Sequence, residues 1–584
     1  MKLKMSHWII GSLGFALAVI GLAAPVSAVA SLPFPATCDG ISQFFHADLK
    51  TYQDQVDLAN QEYQAEDWLA ETADPKASSS NQSKLFTAVQ KAVYDPGVLK
   101  RTQAMDDATQ SIDPKTCDDK RKLARARYLL ETAILTDTAV IQKEKENQDL
   151  QQKLMDESNG FRVTLPGEKE PASRALYVKA LAATADRDVR HQLYLKFNAL
   201  RAEAWMNWGF RDLIHSRNEE GKLAGYPGYL EYRYFRNQLD LNGYRQLVSE
   251  VKTKLAPKLR AEMEKLAKSH GIAQIEPWDM AYLTEQASSG ELDKWLAPLA
   301  ADSALDFARF FYAGLGFSID SLGFTMDLYP RPGKNTHAFT MGVVFPQVDD
   351  QGNLLSTPKP DIRFLANLKQ PVHWADISTV IHELGHAVHA SQVRQPVGVF
   401  RDFGSVGTEA IAMTMERMAA SSEFLGDTLS HLSGASSAQL KPVLSHAAAA
   451  GKFQQAYMIV RQIFFSDFEI EMYTHPDADY REIWSRLYQE YYGVNVPLAN
   501  ADWDVEHFLM APIYVQNYSI GLLMVEQLYA SMLKDFGTSY RSTALGDKLS
   551  KIYFGQGTEF NYLELVKRFT GKPLSSEDAL KILD

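Results

Sequence analysis

The densest run of chemistry-bearing residues is Asp376-Ile-Ser-Thr-Val-Ile-His382-Glu383-Leu-Gly-His386-Ala-Val-His389. Ile377, Val380, Ile381, Leu384 and Val388 share one face of a helix, while His382, His386 and His389 share another, with Asp376 expected as N-cap. Two imidazoles one turn apart can aim their ring nitrogens at a single ion, and tetrahedral Zn²⁺ takes nitrogen donors at about 2.0–2.1 Å. Glu383 then lies beside the ion rather than on it, where a carboxylate can accept the proton of an activated water. With 14 His in 584 residues, chance places His-Glu-x-x-His in roughly 0.02 of such chains. The apolar back and polar front of this helix predict that both histidines face a cleft rather than the core.

A catalytic zinc site needs a third protein ligand and leaves one position for water. The downstream candidates are Asp402, Glu409 and Glu416. Phe400 to Gly404 reads as loop, and a helix opens at Thr408-Glu409, with Glu409 and Glu416 two turns apart on one face. A carboxylate early in that helix, packed antiparallel to the histidine helix, suits the ligand role, so Glu409 is the expected ligand. Glu416 is then placed to orient a ligand imidazole through its other nitrogen.

These residues must be held by a mostly α-helical chain. Helical spacing runs from about Phe44 to Leu154 and through residues 170–270, with Leu193, Tyr194, Phe197, Leu200 and Trp205 predicted on one apolar face and a break at Gly221 to Gly228. A long amphipathic helix is expected over Asn242 to His270, with Asn242 as N-cap. Two β-rich runs, His337 to Val348 and Asp361 to Leu368, flank Asp349-Asp350-Gln351-Gly352-Asn353 and predict a hairpin ahead of the zinc helix. Helices resume at Asp376 and continue to the C-terminus. The hairpin's edge around His337 to Met341 could pair with an extended peptide by strand addition.

Composition sets the outer bounds. The chain carries 60 Lys plus Arg against 72 Asp plus Glu, a formal charge of −12, and 46% hydrophobic residues. This describes a large globular protein without the broad basic surface that nucleic acid requires. Lys2 and Lys4, an apolar run from Trp8 to Ala24, Pro25 and the small residues Ser27 to Ala30 read as a cleaved secretory signal over residues 1–30, leaving no stable membrane anchor. A periplasmic or secreted location is therefore expected. The two cysteines, Cys38 and Cys117, are too few for a four-cysteine zinc site; export would allow them to pair, and two buried thiols are the alternative.

The His382-Glu-Leu-Gly-His386 motif, followed by a helical Glu 23 residues after its second His, resembles the gluzincin metallopeptidases, specifically the thimet oligopeptidase and oligoendopeptidase F family. Asp327-Leu-Tyr-Pro-Arg-Pro-Gly-Lys334 with His337-Ala-Phe, Asp467-Phe-Glu469, and Ile513-Tyr514-Val-Gln-Asn-Tyr518-Ser-Ile-Gly521 extend the likeness. Kinship to angiotensin-converting enzyme shows in Ser378-Thr379-Val380, in Glu409-Ala-Ile, and in His507 seven residues before Tyr514. The resemblance implies a bilobed, mainly α fold with a deep central cleft, one unit over residues 31–584 in which 31–315 form a mostly helical part and 316–584 the zinc-site part. It further implies one Zn²⁺ on His382, His386 and Glu409, with Tyr514, Tyr518 and His507 donating to the oxyanion.

The family's next tyrosine position holds Gly521 here. Gln516 and Val505 stand where angiotensin-converting enzyme has its chloride-binding arginine and carboxylate-binding lysine, so chloride activation and strict dipeptide release are not implied. The expected activity is hydrolysis of short or unfolded peptides, with endopeptidase and dipeptidyl carboxypeptidase action both open. A catalytically silent peptide-binding protein keeping the same groove is the alternative, and retention of Glu383 with both histidines counts against it.

Overall fold

Helices dominate the computed structural model, which describes residues 34–165, 169–287, 290–402, 404–537 and 540–584. The expected signal segment, residues 1–30, lies outside the described residues. The helices that matter for the site are α1 (Lys50–Glu71), α2 (Tyr229–Arg236), α3 (Ser303–Gly314), α4 (Trp374–Ser391), α5 (Ser405–Ala419), α6 (Ser437–Thr474) and α7 (Val515–Phe536). Among the described residues no helix is long and apolar enough to cross a membrane. Cys38 and Cys117 form a disulfide that ties the first described helix to the start of the helix Asp118–Ala133.

The expected hairpin forms, as β2 (Phe339–Val344) and β3 (Asp361–Leu365), paired antiparallel with Thr340 opposite Phe364 and Met341 opposite Arg363. A third strand, β1 (Thr325–Asp327), pairs parallel to β3 on its other side, giving the order β1-β3-β2 with β2 at an edge. Alternation along the strands splits the side chains between two faces. Met341, Val343 and Leu365 pack with Trp68 of α1, whereas Ile362 and Phe364 join the core around Ile377, Val380, Ile381 and Leu384 of α4. The sheet is thus held between α1 and α4, with β2 alongside the histidine helix. The Asp327 to Lys334 segment closes around β1. The buried Lys334 ammonium donates to the carbonyls of Asp327, Tyr329 and Ala366 at 3.0, 2.9 and 2.5 Å and to the Asp327 carboxylate at 2.9 Å.

Among the described residues, neither of the two largest hydrophobic cores follows chain order. One combines residues between Val140 and Met280 with Phe453 to Met524; the other combines Leu292 to Ala447 with Leu528 to Phe569. Helices α5 and α7 bridge them: Val406 and Ala410 lie in the first core and Ile411, Met415 and Met418 in the second, while Ile520 to Met524 and Leu528 to Met532 divide the same way.

Three local expectations are corrected. Asp376 does cap α4, but from its third position, accepting the His373 N–H at 3.1 Å in a capping box with His373 as N-cap. The helix expected from Asn242 starts one residue earlier. Asp240 is its N-cap, accepting the Asn242 N–H at 3.0 Å, and a π-turn over Val251–Leu255 joins Leu241–Glu250 to Ala256–Ser269. Leu200 is 49% exposed, because the helix turns it away from the face that buries Leu193, Tyr194, Phe197 and Trp205.

Candidate metal centre and active site

His382 and His386 stand one turn apart on α4, and their Nε2 atoms face each other at 3.1 Å. Glu409, near the start of α5, brings Oε2 to 3.7 Å from the same His382 nitrogen. One ligand atom from each of His382, His386 and Glu409 falls within a sphere where all lie inside 4.8 Å of one another. Both imidazoles are partly exposed, whereas Glu409 is buried. Glu416, two turns along α5, approaches the opposite nitrogen of His382, with Oε1 3.4 Å from Nδ1. Thr408 does the equivalent for His386, its Oγ1 lying 3.1 Å from Nδ1. Thr408 was not among the residues singled out from sequence; its position directly before Glu409 is the only signal the sequence carries for it.

Glycines stand at both contacts of α5, Gly385 on the α4 side and Gly521 on the α7 side. A Cβ on Gly385, between the two histidines, would come within 3.1 Å of the Tyr312 hydroxyl and 3.4 Å of the Ala412 Cα. A Cβ on Gly521 of α7, which packs over α5, would come within 2.8 Å of the flexible end of Met413, at Cε, and lie 3.8 Å from the Ala410 nitrogen. Gly521 thus stands in the α5–α7 contact of this chain, where the family's tyrosine is absent. Hydrogen bonds pin the helices from outside: the Tyr312 hydroxyl of α3 donates to the Ile381 carbonyl at 2.6 Å, the Thr340 hydroxyl of β2 to the Glu383 carbonyl at 2.6 Å, and the Tyr553 hydroxyl to the Gly407 carbonyl at 2.8 Å.

The electrostatics are those of a site made for a cation. Three carboxylates, Glu383, Glu409 and Glu416, surround two imidazoles. Burial opposes charge on His382, yet Glu416, Glu383 and Glu409 outweigh it and push the imidazole up to about 10. His386, desolvated and next to His382, is held well below its ordinary value. Burial raises Glu409, and pushes Glu383 up to about 7 against the pull of His382. Two neutral imidazole nitrogens and one carboxylate oxygen are a donor set that suits zinc, and the excess of negative groups fits a dication.

His389 does not belong to this cluster. Two turns below His382 it is buried against Tyr553 and Phe554, with ring centroids 6.0 and 5.0 Å away, and desolvation pushes it down to about 3. Asp402 also stays out of the cluster; it lines a cavity of about 480 Å³ between α1, β2 and the loop before α5.

The remaining expected site residues gather at the head of α7 and in the short helix before it. Tyr514 and Tyr518 are partly exposed between fully buried neighbours, with ring centroids 5.4 Å apart, and His507, exposed at the rim, lies 6.1 Å from the Tyr518 ring. Burial and then the Glu409 carboxylate raise both phenols above their ordinary value, so both are protonated donors within electrostatic reach of the cluster. Gln516, between them, is fully buried and donates to Glu469 at 3.2 Å.

Known proteins resemble this chain over much of its length. Oligopeptidase A of Escherichia coli strain K12 is 21% identical over 456 residues, covering 68% of this chain and 66% of that protein. Oligopeptidase A of Salmonella typhimurium strain LT2 is 22% identical over 458 residues with the same coverage, so the chain spans about two thirds of the length of these relatives. The model of peptidase family M3 matches residues 180–312 and 321–584, which include His382, His386, Glu409, Glu416, His507, Tyr514 and Tyr518. The chain belongs to peptidase family M3, a family of metallopeptidases.

Proposed function

We propose that the chain is an exported zinc peptidase that hydrolyses peptide bonds in short or unfolded peptides. The observation that carries this reading is the convergence of His382, His386 and Glu409 within 4.8 Å, with Glu383 on the same helix as the histidines. His382 and His386 through Nε2, and Glu409 through a carboxylate oxygen, would hold one Zn²⁺. When bound, the ion polarises the scissile carbonyl and acidifies the attacking water. Glu416 and Thr408 fix the ring orientation and tautomer of the two histidines through their Nδ1 atoms, leaving Nε2 unprotonated for the metal.

Glu383 accepts the water proton and delivers it to the departing amine, a general base and then a general acid. Tyr514 and Tyr518 donate to the oxyanion that develops on the substrate carbonyl, and His507 assists from the rim; one preorganised donor of this kind contributes roughly 3–4 kcal/mol of transition-state stabilisation. The open edge of β2, whose Thr340 is bonded to the Glu383 carbonyl, pairs with an extended peptide and sets its scissile bond beside Glu383. The Oligopeptidase A relatives support peptides as the substrate class. Export is supported by the composition of residues 1–30 and by the Cys38–Cys117 bond.

The test is metal analysis together with turnover of an internally quenched peptide by wild type and Glu383→Gln. Stoichiometric zinc in both proteins, with a loss of about 10²–10⁴-fold in kcat for the variant, is the expected result. Zinc in both with equal turnover overturns the mechanism.

A further inference from the structure

Ile513, directly before Tyr514, has φ of +57° and a fully buried side chain. A β-branched residue in the left-handed region is a true outlier, since its Cβ crowds the following carbonyl, and glycine or asparagine would sit there with less strain. Such a conformation persists only where the surroundings over-determine it. Here both backbone groups of Ile513 are clamped by side chains from other elements. Its N–H donates to Oε1 of Glu469 on α6 at 2.8 Å, and its carbonyl accepts from Nδ2 of Asn237, just after α2, at 2.6 Å. The second Glu469 oxygen accepts from Gln516 at 3.2 Å, so one buried carboxylate grips the chain on both sides of Tyr514.

The left-handed residue makes the turn between the short helix Glu506–Met510 and α7, and it decides the direction in which the chain delivers Tyr514 to the head of α7. Docking of α6 on α7 does not depend on the clamp. Ser466 and Ser519, both fully buried, bond each other at 2.9 Å across the same interface, and α6 and α7 share the first core. The clamp therefore acts on the conformation of residue 513 more than on the packing of the helices.

We infer that Glu469 is a positioning residue: with Asn237 it holds Ile513 in the left-handed conformation and thereby sets where the Tyr514 hydroxyl enters the cleft. The inference rests on the role proposed above for Tyr514, and it adds the residues that make that role geometrically exact.

Steady-state kinetics on the quenched peptide with Tyr514→Phe, Glu469→Ala, Glu469→Gln, Asn237→Ala and the Glu469→Ala/Tyr514→Phe double variant test it, alongside a crystal structure of Glu469→Ala or, should that variant not fold, of Asn237→Ala. Tyr514→Phe should lose about 10²-fold in kcat. Glu469→Ala should lose most of the same factor with KM within twofold, and the double variant should be no slower than Tyr514→Phe, because both changes remove one interaction. Glu469→Gln, which keeps an oxygen for the Ile513 N–H, should recover most of the rate. Losses that multiply in the double variant, or full kcat in Glu469→Ala while Tyr514→Phe is slow, overturn the inference. Should Tyr514→Phe itself run at full speed, the oxyanion role of Tyr514 fails separately. The structure then decides: Ile513 at negative φ with Tyr514 displaced upholds the positioning, and an unchanged turn overturns it.

Discussion

Glu416 Oε1 lies 3.4 Å from Nδ1 of His382, while Nε2 of the same ring faces His386 at 3.1 Å. One imidazole is thus held from behind by a carboxylate with its other nitrogen turned toward the cluster, and Glu409, seven residues before Glu416 on the same helix face, supplies the oxygen on the cluster side. A single two-turn spacing on α5 serves both positions. A carboxylate behind a ligand imidazole fixes its tautomer and raises its basicity, and removing such a partner typically costs 10–100-fold in metal affinity.

Glu416→Gln should accordingly bind zinc about 10–100-fold more weakly than wild type, whereas Glu409→Gln should weaken binding further because a donor to the ion itself is changed. Competition against a chromophoric chelator at fixed pH measures both. Equal affinity for Glu416→Gln and wild type would remove the proposed role of Glu416.

Thr408 makes the parallel prediction for His386. Its hydroxyl is 3.1 Å from Nδ1, and valine has nearly its shape with no acceptor. Thr408→Val should lower zinc affinity by roughly tenfold and leave thermal unfolding of the metal-free protein nearly unchanged. A drop in stability without a change in affinity would assign Thr408 to the fold alone.

These residues were unequally legible in the sequence. His382, Glu383 and His386 announce themselves because a helix converts a four-residue spacing into a shared face, and Glu409 and Glu416 follow from the same periodicity. Thr408 has no periodic signature; its role arises only when α5 packs against α4 at Gly385. The hairpin was visible from two β-rich runs around a turn, but β1 is three residues long and pairs with a strand about 36 residues later in the chain, a contact that no local pattern encodes. His389 continues the histidine spacing, yet depth decides against it: two turns down, α4 has entered the core and Tyr553 and Phe554 cover the ring. Ile513 opposes its own propensity, so nothing local points to a left-handed turn there; the forces that impose it come from Glu469 and Asn237, far away in sequence.

The Cys38–Cys117 bond closes a loop of 79 residues around the N-terminal helices. By the loop-entropy scale, losing a cross-link of that span costs about 4–5 kcal/mol. The core it staples includes Ile41, Phe44 and Phe45 against Leu123, Ala126 and Leu130, with Phe400 from the loop before α5. Reduction, or Cys38→Ser with Cys117→Ser, should lower the urea midpoint of unfolding by an amount consistent with a few kcal/mol. Coincident urea curves with and without reductant would show that the bond adds nothing to stability.

Glu469 gives the stability of the protein a pH dependence of known sign. It is fully buried, and desolvation pushes its carboxyl from 4.5 up to about 7 even though the Ile513 N–H, Gln516, Arg217 and Arg233 favour the ionised form. An acid whose folded-state pKa exceeds its unfolded value binds more protons folded than unfolded between those two values, so its contribution to stability falls as pH rises through that window. The shift corresponds to roughly 3 kcal/mol between the two ends, at about 1.4 kcal/mol for each pKa unit. Glu469→Gln has no proton to lose and keeps the acceptor for Ile513, so wild type should be more stable relative to the variant at pH 5 than at pH 8, by roughly 2–3 kcal/mol. Urea unfolding of both proteins at four pH values between 5 and 8 measures the difference directly. Parallel stability profiles would mean that Glu469 ionises at an ordinary pKa in the folded protein, and that its grip on both sides of Tyr514 comes without the cost of burying a charge.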